Sequence, residues 1–358
     1  MRPLIPYLFF ISLSFIYSQC DNSEIEIWKT CYSIENTIIF QNPSNDPQEF
    51  PSAICGLINL EIIDLDVIFG NGNFLFGQIP DCIGNLEKLT YLNLSWNALS
   101  GEIPKSIGNL SNLTYLNLLS NQLSGLIPTT IGNLNNITYL NLGYNAFYGE
   151  IPQSIGNLIL LEELYFSSNQ LSGMIPSSIG NLSNLIMLSI IGNQISGEIP
   201  RSIGNLVNLV SFNLGFNQLH GSIPEGIGNL INLERLWLNF NNLSGFAPYT
   251  ICDLNFLDWS QDGSEGTGSY INNNHLCPPY PYCIQEQIGE QNISQCPEIQ
   301  LGDINNDDII NILDIIMLIS FVLETNSPNN QEFIVSDVNA DGSLDIIDIV
   351  NIVNIILD

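Results

Sequence analysis

Two stretches near the C-terminus place oxygen-bearing side chains at matched intervals. Asp303, Asn305, Asp307, Asn311 and Asp314 recur 34 residues later as Asp337, Asn339, Asp341, Asp345 and Asp348. The spacing is that of positions 1, 3, 5, 9 and 12 of a twelve-residue loop, with a backbone carbonyl at position 7 from Ile309 or Ser343. Alternate residues of so tight a loop turn inward, so oxygen donors converge on one hard cation, and the pattern predicts two Ca2+ sites. Position 6, where a left-handed backbone favours glycine, is Gly342 in the second loop but Asp308 in the first, which predicts a weaker first site. The competing reading is an unliganded acidic tail; five matching positions, twice over, argue against it.

A second set of residues, aromatic and recurring every 24 positions, has the makings of a contact surface. One column reads Tyr91, Tyr115, Tyr139, Glu163, Met187, Ser211, Arg235, and another reads Asn93, Asn117, Asn141, Tyr165, Ser189, Asn213, Trp237. A third reads Trp96, Ser120, Tyr144, Ser168, Gly192, Phe216, Phe240. Rings with amide neighbours suit a protein or sugar partner. The expected ligand contacts are Tyr91, Asn93, Trp96, Tyr115, Asn117, Tyr139, Asn141, Tyr144, Tyr165, Phe216, Trp237 and Phe240. Alternatively, duplication of near-identical units copied Tyr-x-Asn merely as a good strand former. Large exposed aromatic stripes are uncommon without a partner, which favours binding. Catalysis finds no support. This face holds no histidine, its only charges are Glu162, Glu163, Glu234 and Arg235, and neither a GxSxG nor an HExxH string occurs.

What must position these columns is a repeat. Ile-Gly-Asn-Leu or a close variant starts at Ile83, Ile107, Ile131, Ile155, Ile179, Ile203, Ile227 and Ile251, a strict period of 24 residues giving seven full units over 83–250. No unit can bury its apolar positions alone, whereas stacked units share one core. In the unit from Ile107, the residues Leu110, Leu113, Leu116, Leu118, Leu123 and Ile127 are expected inside. At about 1.5–3 kcal/mol per buried aliphatic side chain, one such layer offsets much of the ordering entropy of its coil. The alternation Leu116-x-Leu118 predicts a short strand whose copies pair in parallel, the intervening side chains facing outward. Asn97, Asn121, Asn145, Asn169, Asn193, Asn217 and Asn241 then stack at the turn, where a buried amide can serve the backbone of its own and the adjacent coil.

The string LSGxIPxSIGNL resembles the signature of plant-type leucine-rich repeats, as in plant receptor ectodomains and polygalacturonase-inhibiting proteins, over about 250 residues. The resemblance implies a solenoid of α/β class with a parallel sheet on its concave face, and leaves the ligand open, since such repeats bind proteins, peptides and glycans alike. The acidic loops each run into an apolar helix without a helix before them. This half EF-hand, twice, looks like a type I dockerin, a small all-α module that docks on cohesins in cellulosomes and related surface assemblies. At the positions dockerins use to read cohesins, Ile312-Leu313 and Ile346-Ile347 replace the usual hydroxyl pair, and the following helices lack the Lys-Arg often found there. Either the partner is cohesin-like but met through apolar contacts, or these residues pack against the chain's own second loop–helix copy. The combination is similar to secreted bacterial surface proteins.

Charge and cysteines describe the surroundings. With 36 acidic against 6 basic residues and a net charge of −30, the long-range field repels nucleic acid and anionic membranes. Met1-Arg2, the apolar run from Leu4 to Tyr17 and Ser18 predict a secretory signal peptide, too short to span a bilayer; no other segment reads as a span. Lipidation at Cys20 is the rival reading, disfavoured by Tyr17 and Gln19. Export makes disulfides of the eight cysteines, which flank the repeats. Cys55 with Cys82 suits adjacent coils, and Cys277 with Cys283 is expected inside the terminal cap that NNNHLCPPYPYC resembles; the other pairings stay open. The expected organisation is a signal peptide over 1–18, a cap and degenerate first coil over 19–53, and a solenoid over 54–276 with an insertion around Val67–Asn71. A Cys-rich cap over 277–297 and the calcium-binding domain over 298–358 follow. The functional expectation is a secreted recognition protein that binds a protein or polysaccharide and is tethered by its tail. The alternatives are an accessory subunit of a polysaccharide-degrading assembly and an ice-binding or structural surface.

Overall fold

The computed structural model describes residues 20–41, 47–66, 75–259 and 268–357. The expected signal peptide and the insertion around Val67–Asn71 lie outside the described residues.

Each coil is set by a proline, a glycine and an asparagine. Pro104, with φ at −64°, opens a one-turn 3-10 helix over Lys105–Asn109, and the same turn recurs at Thr129–Asn133, Gln153–Asn157 and Ser177–Asn181. Proline presets the helical φ where its missing N–H is not needed. Gly108 then lies so close to the backbone and side chain of Thr130 on the next coil that a Cβ has no room there. The strand Tyr115–Asn117 follows, one residue earlier than the expected Leu116–Leu118. Among the described residues nine such strands, from Ile39–Gln41 to Arg235–Trp237, pair in parallel with Leu92, Leu116 and Leu140 in register. On the opposite side run further parallel strands such as Gln122–Gly125, which the sequence reading did not foresee.

Between the two sheets lies the core. Leu110, Leu113, Leu116, Leu118 and Leu123 are fully buried, and Ile127 nearly so. The asparagine ladder takes its expected form. Asn121 donates to the carbonyls of Leu94, Leu118 and Leu119 at 2.9, 3.2 and 3.4 Å and accepts from the Leu99 N–H at 3.0 Å, joining two coils. The ladder runs one rung beyond the 24-residue period, to Asn274, which bonds Leu238, Leu243 and Ile271 in the same way.

Four disulfides close the ends: Cys20–Cys31, Cys55–Cys82, Cys252–Cys283 and Cys277–Cys296. Cys55–Cys82 is the expected pair. The expected Cys277–Cys283 is corrected: Cys283 binds Cys252, and Cys277 binds Cys296. The reason is columnar. Cys55 and Cys252 stand where other units have the glycine of Ile-Gly-Asn, and Cys82 and Cys283 stand at the facing serine position of the next coil. Those two columns touch throughout, as Gly108 and Thr130 do. The Cys20–Cys31 bond also uses the thiol that lipidation would need.

Regular α-helix among the described residues is confined to the tail: α1 (Ile312–Val322), α2 (Asn330–Ser336) and α3 (Ile346–Leu357). Ile304, Leu318, Phe321, Val335 and Ile352 form its small core. The expectation that neither loop follows a helix is corrected for the second, because α2 leads into Asp337. A capping box starts that helix: Asn329 accepts from the Glu332 N–H at 2.9 Å while Glu332 accepts from the Asn329 N–H at 2.8 Å.

Candidate functional site

On the nine-stranded concave face the tyrosine column becomes a stack. Tyr91, Tyr115 and Tyr139 lie with ring centroids 4.4 and 4.3 Å apart and planes within 10°, and Tyr165 tilts away at 5.8 Å. Strand pairing fixes the ring spacing near the interstrand distance. Asn93, Asn117 and Asn141, expected to touch a ligand, are instead only 6, 7 and 6% exposed. The tyrosine ribbon and the tight turns leave them below the surface, where they serve the protein. Asn141 donates to the Tyr139 hydroxyl at 3.0 Å and accepts from the Gly143 N–H at 2.9 Å, and Asn117 relates likewise to Tyr115 and Leu119. Burial pushes the Tyr139 phenol up to about 12, against the Asn141 amide, which holds it down. Tyr165 donates to Glu163 at 2.6 Å, and burial first, then that carboxylate, push its phenol up too.

The third column has a different character. Trp96, Tyr144, Phe216 and Phe240 are exposed aromatics whose backbones are left-handed, with φ of 57, 53, 54 and 54°. Phe216 and Phe240 stack at 4.4 Å. The concave face therefore carries two aromatic patches: a tyrosine ribbon with Trp96 and Tyr144, and a cluster of Phe216, Phe240 and the half-buried Trp237. Between them lie Met187, Ser189, Gly192 and the carboxylate of Glu163.

In the tail, both acidic loops are folded inward by their own amides. Asp303 accepts from the N–H groups of Asp307 and Asp308 at 3.1 and 2.9 Å, and Asp314 accepts from Ile304, Asn305 and Asn311 at 2.8, 3.1 and 2.8 Å. The second loop repeats this: Asp337 accepts from Asp341 and Gly342, and Asp348 accepts from Val338, Asn339 and Asp345. Asn311 and Asp345 at position 9 double as helix caps, accepting from the N–H groups of Leu313 and Ile347. Ile309 and Ser343 occupy position 7, their N–H groups held by Asp307 and Asp341.

All four end carboxylates, Asp303, Asp314, Asp337 and Asp348, are buried. Burial pushes the carboxyls of Asp337 and Asp348 above the ordinary range, against the backbone N–H bonds that hold them down. Residues 301–357 contain ten carboxylates and no lysine, arginine or histidine, so no side chain of the tail offsets that charge. An all-oxygen donor set around buried, uncompensated carboxylates fits a hard divalent cation. The amide bonds hold the carboxylates apart, with no three in either loop gathered within 4.8 Å; the only such cluster among the described residues is Cys20, Glu24 and Cys31, whose two cysteines are bonded to each other. Ile312, Leu313, Ile346 and Ile347, the positions expected to meet a partner, are exposed, joined by Ile316 and Val350, which corrects the alternative that they pack against the chain's own second loop–helix copy.

The sequence reading missed the joint between tail and solenoid. Tyr249 of the last regular unit packs against Phe333 of α2, centroids 4.7 Å apart and planes tilted by 53°, and the Tyr282 ring lies against Gly342 of the second loop. Their signal was available. The residue after each coil's proline is Lys105, Thr129, Gln153, Ser177, Arg201 or Glu225, exposed in every case, and then becomes Tyr249 and Tyr282.

Comparison with known families and structures matches these two parts separately. A leucine-rich repeat region model matches residues 59–174, and a leucine-rich repeat model matches 184–206, 208–230 and 232–254. A dockerin type I domain model matches 301–357. No curated protein matches the chain. Among solved structures, a TDR receptor is 36% identical with a TM-score of 0.60, covering 66% of this chain and 39% of its own. The Arabidopsis receptor kinase HAESA, solved in complex with the peptide hormone IDA and the co-receptor SERK1, is 35% identical at 0.59, covering 69% and 39%. A plant ice-binding protein is 27% identical at 0.54, covering 73% and 76%. The chain thus spans about two fifths of the length of these receptor structures. Among the described residues, no helix is long and apolar enough to cross a membrane.

Proposed function

We propose that this chain, in which leucine-rich repeats are joined to a type I dockerin domain, is an exported, non-catalytic recognition protein. Its concave face holds a segment of a protein or glycan, and its tail, loaded with two Ca2+ ions, tethers it to a cohesin-type partner.

The observation that carries the concave-face reading is the third column. A left-handed backbone costs a residue with a Cβ roughly 1–2 kcal/mol, and glycine or asparagine relieves it. Gly192 takes that option and Ser120 and Ser168 keep a small polar side chain at the same backbone angle, whereas Tyr144, Phe216 and Phe240 carry large rings there. A strained position that presents a large apolar ring to solvent is poorly explained by folding and well explained by contact with a partner. The HAESA neighbour, solved with a peptide hormone, supports a peptide as the first class to test. The test is binding of the full chain to arrayed secreted proteins and glycans, then of Tyr144→Asn and Phe240→Asn. Asparagine tolerates the backbone, so these variants should melt close to the parent yet lose binding. Unchanged binding by both would overturn the reading.

For the tail, the donor set supplies the calcium reading, and exposed Ile312, Leu313, Ile346 and Ile347 support a partner met through apolar contacts rather than hydroxyls. Such a tether fits a protein placed beside hydrolases in a polysaccharide-degrading assembly, and calcium-dependent pull-down with cohesins of the host is the check. Four disulfides, with no free cysteine, support export. A second reading, an ice-binding surface, draws on the plant neighbour and on the ladder of Thr90, Thr114 and Thr138, each donating to the preceding coil. Thermal hysteresis decides it.

A further inference from the structure

The repeat has one column that is polar and exposed on every regular coil until the last two. Lys105, Thr129, Gln153, Ser177, Arg201 and Glu225 give way to Tyr249 and Tyr282, on adjacent coils that the Cys252–Cys283 bond ties together. Both rings meet the second acidic loop and the helix that leads into it, through Phe333 and Gly342. The Tyr249 hydroxyl is buried within reach of the Asp337 carboxylate, and the Ser336 hydroxyl, one turn along α2 from Phe333 and next to Asp337, is buried without a hydrogen-bond partner. The same position turns aromatic on just the coils that the tail reaches, where Tyr249 is half-buried and Tyr282 touches Gly342 while staying 52% exposed.

We propose that the last two coils form a built-in receptor for the second calcium loop: Tyr249 and Tyr282 are positioning residues, and loading that loop locks the tail onto the solenoid while the first loop stays independent. This rests on the reading that both loops bind Ca2+. Asp337, the position-1 ligand, directly follows the helix that Tyr249 holds, and Gly342 at position 6 is the residue Tyr282 covers. A ring fixed against each end of the first half of the loop restricts the motions that would let its carboxylates part. By linkage, whatever docking adds to calcium affinity, calcium adds to docking. The two loops differ accordingly at position 6. Asp308 sits there at φ 66° in the first loop, whereas any side chain at Gly342 would strike Tyr282.

The experiment is calorimetric titration of the full chain with Ca2+, alongside its maximum dimension by small-angle X-ray scattering with calcium and with EDTA. An Asp341→Asn variant identifies the second loop's binding event. Tyr249→Lys restores the residue found at Lys105, so the coil tolerates it. It should weaken that event about tenfold, the scale of one aromatic contact, leave the other unchanged, and lengthen the calcium-loaded molecule towards its EDTA dimension. Gly342→Asp gives the second loop the residue its twin accepts. It should weaken the same event, and adding Tyr282→Ala should restore it. Two unaltered binding events in Tyr249→Lys, or no rescue by Tyr282→Ala, would overturn the proposal while leaving calcium binding intact. No binding at either loop in the parent chain would instead overturn the calcium reading beneath it.

Discussion

Removing calcium should unfold the tail and leave the solenoid standing, and the size of the effect can be worked from the structure. The tail has one small core of five buried side chains, and helices of 11, 7 and 12 residues, each too short to persist alone in water. The first loop offers three carboxylates as ligands and the second four, all within a segment of ten carboxylates and no cation. At a hundredfold excess over its dissociation constant, a ligand that binds only the folded state adds about 2.7 kcal/mol, so two sites add about 5 kcal/mol. For a domain of this size each kcal/mol moves the midpoint by roughly 4–8 °C, so EDTA should lower it by about 20–40 °C. The assay needs no dissection of the chain. All four tryptophans, Trp28, Trp96, Trp237 and Trp259, precede the tail, whereas the α-helix belongs to it. Helical circular dichroism therefore follows the tail while tryptophan fluorescence follows the solenoid. A helical transition that stays put in EDTA, or a tryptophan transition that moves with it by as much, would refute the reasoning.

Three further outcomes follow from the same geometry. Asn193→Ala removes an amide that donates to Phe166, Ile190 and Ile191 and accepts from Leu171. It should cost about 2–4 kcal/mol in denaturant unfolding, whereas Asn136→Ala, losing one exposed bond to the Ser111 carbonyl, should cost about 1 kcal/mol or less. Ultraviolet titration should find the Tyr139 phenol near its raised value of about 12, and Asn141→Ala should raise it further, because the amide donation that steadies the phenolate is gone. In EDTA the tail should gain stability on acidification. The raised carboxyls of Asp337 and Asp348 bind protons more tightly when folded, so their contribution is present at low pH and lost as pH rises through the raised values. With calcium the sign reverses, since protons compete with the ion for those carboxylates; melting with and without calcium at about pH 4 and 7 is the check.

What could be read from the residues alone was whatever repeats. The period fixes the stacked core, the asparagine rungs and the parallel strands because each feature needs the same residue in every coil. The two acidic loops were legible for the same reason, occurring twice. The second sheet was not, because Gln-Leu-Ser-Gly has one apolar residue and no alternation; its pairing follows from stacking rather than from its own pattern. Burial of Asn93, Asn117 and Asn141 was misjudged because alternation says which way a side chain points, not that the tyrosine beside it will cover it. The pairing of Cys283 was within reach: Pro281-Tyr282-Cys283-Ile284 matches the proline–x–serine–isoleucine of every unit, which places Cys283 opposite Cys252. The 31-residue separation of Cys252 from Cys283 breaks the 24-residue spacing, which hides that register. Helix α2 was also signalled, by Asn329 and Glu332 at capping-box spacing, but seven residues are too few to show a helical period.

The two parts are stabilised by opposite means, and this bears on how they would work together. The solenoid's order is built in, because buried leucines and amide rungs recur from coil to coil and disulfides close both ends, so its aromatic face needs no ion to hold it. On the proposed reading the tail's order is conditional, since ten like charges around five core side chains would leave an ion to decide whether the helices persist. A tether that holds only where calcium is present restricts recognition to that setting. If the tail were joined by a free linker, calcium would determine only attachment. With Phe333 and Gly342 seated on the tyrosines of the last coils, the same ion would also fix the angle at which the concave face is presented to its surroundings.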